Sequence, residues 1–232
     1  MKKKIRAVIA IVLLGVLVFS GLKIWNETEA YRGESDLHKQ LMQLKPVPQE
    51  DPVVNQSVID LEAQNSDMAG WLTVPGTRID YPFVQAKDND FYLRRNFNGA
   101  YALAGTLFMD YRCAKDFSSQ NTIIYGHHMR NGSMFGAIKK FRDKDFFTAN
   151  KTAAIYLPDQ TYTLELFAFM LVRSNDAVLY DHEPGNDFLA YVEQNARQYR
   201  DIGASADDRF VTLSTCAYEF EGARMALVGR IR

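Results

Sequence analysis

Between Trp71 and Ile231, eight short runs rich in β-branched and aromatic residues, at 71–74, 79–84, 105–109, 122–125, 152–157, 161–172, 209–213 and 224–231, alternate with glycine, proline, asparagine and aspartate turns. This spacing predicts a mainly β body. Eight strands in one sheet leave two reactive edges unless the sheet closes, so an eight-stranded closed or nearly closed β-barrel is expected. In 161–172, Phe167 and Phe169 fill the gaps between Leu164, Leu166, Ala168 and Met170, making both faces apolar. That strand is expected at the centre of the sheet. Helical spacing interrupts the pattern at 133–141 and, more strongly, at 186–199, where Phe188, Tyr191, Val192 and Tyr199 recur. The second helix falls between the sixth and seventh strands.

Ahead of this body, Ala7 to Leu22 is a run of 16 residues without a charge. As a helix it is roughly 24 Å long, a little short of a ~30 Å hydrocarbon core, and Ile24 and Trp25 extend it while Lys23 snorkels. Lys2, Lys3, Lys4 and Arg6 precede the run and only Lys23 closely follows it. The positive-inside bias then puts the amino end in the cytoplasm and everything beyond residue 25 outside, as a single-pass membrane protein. A cleaved signal peptide has a similar pattern, but Val18-Phe19-Ser20 lacks the usual pair of small residues, so a retained anchor is favoured. Both readings export the body. Residues 26–54 read as a stalk helix, with Leu37, Leu41 and Leu44 at helical spacing, and a linker broken by Pro46 and Pro48. A short helix at 56–65, with Val58, Leu61 and Ala63 inward, opens a folded domain covering 55–232.

Lys and Arg total 27 against 28 for Asp and Glu. Setting aside the five basic residues at the amino end leaves 22 against 28, a net of −6 for the exported part. No basic footprint for nucleic acid appears. Two cysteines, Cys113 and Cys216, are compatible with one bridge or with two free thiols of which one works.

Three elements carry chemistry. Thr212-Leu213-Ser214-Thr215-Cys216 ends a strand with a thiol, beside a polar loop. Ile123-Ile124-Tyr125-Gly126-His127-His128-Met129 runs a strand into a glycine turn and two histidines. Arg224 opens the next strand after Cys216, so antiparallel pairing brings thiol and guanidinium to one rim. Each alone is better explained by packing or solvation. Together they supply the nucleophile, the proton carrier and the oxyanion partner of acyl transfer without a metal or other cofactor. His127 and His128 are adjacent and no HExxH or CxxC spacing occurs, which argues against a metal site.

The segment TLSTC at 212–216 resembles the TLxTC signature of sortases, the cysteine transpeptidases that attach surface proteins to the wall of Gram-positive bacteria. Gly70-Trp71-Leu72 through Tyr81-Pro82, Asp88-Asn89-Asp90 with Tyr92-Leu93, GTLFMDYR at 105–112 and Tyr125-Gly126-His127-His128-Met129 are similar to class B members in particular. The resemblance covers about residues 55–232. It implies the eight-stranded sortase barrel with a helix between its sixth and seventh strands. It also implies Cys216 as nucleophile, His127 as general acid and base, Arg224 as the oxyanion or substrate stabiliser, and no part for His128. Implied partners are secreted proteins bearing a C-terminal sorting signal and, as amine acceptor, a lipid-linked peptidoglycan precursor at the membrane. Cys113 has no role in the family. Two other readings stand beside this one: a cysteine peptidase whose thioacyl intermediate is resolved by water, and a non-catalytic surface domain.

Overall fold

All eight expected strands form within three residues of their expected bounds in the computed structural model, which describes residues 2–47 and 54–232. The chain divides into two compact units, one ending at Lys39 and one comprising Gln40–Arg232. The first is the greater part of α1 (Lys2–Met42), a single unbroken helix that contains both the apolar run and most of the expected stalk. Of the expected linker, residues 48–53 lie outside the described residues.

The second unit is built on β1 (Met68–Val74), β2 (Ile79–Val84), β3 (Leu107–Met109), β4 (Asn121–Tyr125), β5 (Thr152–Tyr156), β6 (Thr161–Arg173), β7 (Ala196–Tyr199), β8 (Phe210–Cys216) and β9 (Ala223–Ile231). Eight of them close a ring in the order β5-β1-β2-β3-β4-β8-β9-β6, with β6 returning to β5. The short helices are α2 (Gln56–Gln64), α3 (Lys144–Ala149) and α4 (Phe188–Asn195). Val58 and Leu61 of α2 are buried as expected, but Ala63 is exposed.

β6 is central, pairing with β5, β7 and β9. Its two apolar faces serve two cores: Leu164, Leu166 and Phe169 fill the barrel, while Phe167, Ala168 and Met170 pack outside it with Phe188 and Val192 of α4. A bulge between Leu166 and Ala168 shifts the register there and turns Phe167 and Ala168 to the outer face together. The expected helix at 186–199 also stops early. A 3₁₀ turn at Gly185–Asp187 leads into α4, and 196–199 become β7, a ninth strand laid on β6 at Ala168–Met170. Past its pairing with β5, β6 would otherwise expose backbone donors and acceptors there, and β7 satisfies them. The helix expected at 133–141 is a 3₁₀ stretch, Phe135–Arg142, followed by α3. Asp143 caps α3, accepting a hydrogen bond from the Phe146 N–H.

Two pairings position the site. β4 and β8 run parallel and end their register at Tyr125 opposite Ser214. β8 and β9 run antiparallel and end at Cys216 opposite Arg224.

Candidate active site

Along β8, Val211 and Leu213 point into the barrel, so Phe210, Thr212, Ser214 and Cys216 lie on its outer face. On β9, Met225 and Leu227 point inward, which puts Arg224 on that same outer face. The Ala217 N–H donates to the Ala223 carbonyl at 2.9 Å, so Cys216 and Arg224 form the adjoining pair without mutual backbone bonds. In such pairs the Cα atoms approach to ~4.5 Å and the side chains are closest. Both residues are half-buried. The Arg224 guanidinium donates one hydrogen bond, at 3.2 Å, to the Ala223 carbonyl, and among the described residues it has no carboxylate partner. Arg230, on the same face toward the other rim, is by contrast buried and bonded to Glu165 at 2.6 Å and Asp208 at 3.3 Å.

β4 delivers His127. Gly126 continues the ladder, its N–H donating to the Ser214 carbonyl at 3.1 Å. A Cβ there would press on the Leu107 and Phe135 side chains, so a larger residue would have to displace one of them. The chain then folds back. Phe135 N–H donates to the His127 carbonyl at 3.1 Å, and Met134, at φ 49°, adopts a backbone conformation that normally belongs to glycine. Strain of that kind, of order 1–3 kcal/mol, persists only where surroundings enforce it. Here the Met134 N–H is held by the Tyr81 hydroxyl at 3.2 Å.

The His127 ring hydrogen-bonds the Leu93 backbone, while its Nε2 is shielded from solvent and has no partner. Burial pushes the pKa of His127 below the ordinary histidine value, with Arg94 and Arg224 adding to the shift and the Leu93 bond opposing it. The imidazole is neutral at neutral pH, a base awaiting a proton.

A loop after β6 walls the site. The Tyr180 hydroxyl meets the Ser214 Oγ at 2.8 Å, and burial raises its pKa to about 12. Asn121 donates to the Leu179 and Asp181 carbonyls at 3.0 and 2.8 Å, and Arg112 donates to the Tyr180 carbonyl at 2.9 Å. Arg112 is gripped in turn by the fully buried Asp110, through two bonds of 2.9 Å. Asn89 and Tyr125 also donate to Asp110, each at 3.0 Å. Burial alone would raise the Asp110 pKa, but Arg112 and Asn89 outweigh it and hold the carboxyl below its ordinary range.

On the other side of Cys216 lies an open cleft of about 350 Å³, lined by His128, Lys139, Arg142, Tyr218, Glu219 and Met225 among others. The two thiols are both free. Cys113 is buried against Asn121 and Ile123, which pair with Phe210 and Thr212, so it lies at least four residues, ~13 Å, down β8 from Cys216. A bridge between them is sterically out of reach. Among the described residues no group of three His, Cys, Asp or Glu side chains could hold a metal.

The structure thus sets Cys216 against Arg224 and brings His127 within the electrostatic reach of Arg224. Arg94, the Leu93 carbonyl and Tyr180 escaped the sequence reading. Leu93 belongs to the Asp88-Asn89-Asp90 and Tyr92-Leu93 segment whose similarity to class B sequences marked the neighbourhood without assigning it a role, and Arg94 follows it.

An eight-stranded closed barrel with thiol, imidazole and guanidinium at one rim fits the class of cysteine acyltransferases. The sortase-domain family profile matches residues 72–230. Sortase B of Listeria monocytogenes is 37% identical over 239 residues, covering 96% of this chain and 95% of its own. Among solved structures, sortase B from Bacillus anthracis superposes with a TM-score of 0.77 at 31% identity, over 87% of this chain and 96% of that one. A Streptococcus pyogenes class B sortase involved in pilus biogenesis gives 0.70 at 37% identity, over 75% and 97%. The chain belongs to the sortase family, and within it to class B; it is a cysteine transpeptidase.

Proposed function

We propose that this protein is held in the membrane by α1, with its barrel on the outer surface, and that it joins secreted proteins to the cell wall through Cys216. The span Lys4–Asn26, of mean hydropathy 2.6, and the excess of cations ahead of it support that placement. His127 accepts the proton of the Cys216 thiol as Sγ attacks a carbonyl carbon within the C-terminal sorting signal, and Arg224 with nearby backbone N–H groups stabilises the oxyanion. The tetrahedral intermediate collapses to a thioester as His127 protonates the departing amine. His127 then takes a proton from an incoming peptidoglycan-precursor amine, which attacks the thioester, forms the new amide and releases the thiol. A tether serves this chemistry because both substrates are anchored at the same membrane.

The observation that carries the proposal is the Cys216–Arg224 cross-strand pair, beside a His127 whose Nε2 has no protein partner. Incubation with a library of sorting peptides, followed by mass spectrometry, should find an acyl group on Cys216. Adding an oligoglycine or diamino-acid amine should convert that adduct to an amide product. Acylation on another residue, or none, refutes the assignment, and release as free acid at every amine concentration indicates a peptidase instead.

A further inference from the structure

In a parallel ladder, alternate carbonyls of β8 accept hydrogen bonds from β4. The Ser214 carbonyl takes the N–H of Gly126, and the next acceptor along β8 is the Cys216 carbonyl, facing away from β9. Continued pairing would satisfy it with the backbone N–H of residue 128. The chain has already turned there, into the fold-back that ends at the strained Met134, and the donor is the His128 side chain, whose Nδ1 lies 2.8 Å from the Cys216 carbonyl oxygen. A carbonyl only accepts, so Nδ1 carries the hydrogen. The other face of the ring packs on Tyr218 of the loop after Cys216, with centroids 5.4 Å apart.

We propose that His128 is a positioning residue for the nucleophile: it closes the β4–β8 ladder with its imidazole and so holds the Cys216 backbone, and with it the thiol, beside His127. Neighbouring histidines then divide the work, His127 moving protons and His128 holding the carbonyl of the residue that attacks. This refines the expectation from the family resemblance, which gives His128 no part.

The proposal rests on the catalytic reading of Cys216, so two readouts separate them. The first is sorting-peptide cleavage by wild type, His128→Ala and His128→Asn, normalised to folded protein. Asn places an amide N–H where Nδ1–H stands. Ala should lower kcat about tenfold with KM changed less than about twofold, and Asn should recover most of the loss. The second is the rate of Cys216 alkylation by iodoacetamide, followed by mass spectrometry, which needs no natural substrate and should rank the three proteins in the same order. Equal kcat and equal alkylation in Ala and wild type, or an Asn variant no better than Ala, overturns the proposal. A wild type that cleaves no sorting peptide, yet shows the alkylation order, overturns the functional reading while sustaining the role of His128.

Discussion

Arg224 offers the sharpest test, because its guanidinium has five N–H donors and engages one protein acceptor, the Ala223 carbonyl next to it in the chain. With no ion pair to lose, Arg224→Ala should leave the melting temperature nearly unchanged. What it removes is the guanidinium on the residue paired across the strands with Cys216; as the proposed oxyanion donor, its loss should cost about 3–4 kcal/mol, or about 10²–10³ in kcat. Arg224→Lys retains the charge without the planar fork, so it should lose about 2 kcal/mol, roughly 30-fold. A second effect follows from charge. Arg224 is one of the cations that lower the pKa of His127, after burial and Arg94. Removing a positive neighbour makes the imidazolium easier to form, so the acid limb of the rate profile should move to higher pH in Arg224→Ala and much less in Arg224→Lys. The assay is peptide cleavage with saturating amine, measured from about pH 5 to about pH 9, with kcat and kcat/KM resolved at each point. An Arg224→Ala enzyme within about threefold of wild type, with its acid limb unmoved, would reduce Arg224 to a structural residue.

Cys216→Ala should abolish cleavage and transfer while circular dichroism stays native. Cys113→Ser should remain active, and iodoacetamide should label native protein at Cys216 alone, since burial pushes the Cys113 thiol up to about 11. Arg94→Ala should raise the acid limb of the rate profile, which in wild type should lie below ~6.5, as a second check on the field at His127. Asp110→Asn should destabilise the protein by about 2–3 kcal/mol, lowering its melting temperature by roughly 5–10 °C, because an amide cannot accept from Arg112, Asn89 and Tyr125 together. Its carboxyl has a lowered pKa, so its contribution is complete above the ordinary carboxylate value of ~3.9 and is lost as pH falls through the lower folded value; the Asn variant should lack that portion of the acid unfolding curve.

The strands were legible because β-branched runs bounded by turn residues report local preference. The pairing of Cys216 with Arg224 was legible because a short loop leaves little choice but an antiparallel neighbour. Nothing local announces that β4 lies parallel to β8. That pairing joins His128 to a residue 88 positions away, and only the closure of the barrel enforces it. β7 was missed for the opposite reason: Ala196–Tyr199 has weak strand character and forms because β6 has an edge to fill. The bulge at Leu166–Ala168 is equally silent in a segment apolar on both faces, since either register buries hydrophobic side chains. At the site, Cys216, His127 and Arg224 were found because their residue types sit at strand ends near one another in the predicted fold. Arg94 and Tyr180 were not, because only tertiary closure brings their loops to the rim, and Leu93 contributes backbone that any residue would supply.

β9 lies between β8 and β6 in the ring, and it follows every other strand in the chain. A ribosome releases it last. Until it arrives, β8 and β6 are open edges and the thiol has no guanidinium opposite it. On the roles proposed for Cys216 and Arg224, closing the barrel and completing the site are a single event, so a half-made or locally unzipped molecule should be chemically quiet.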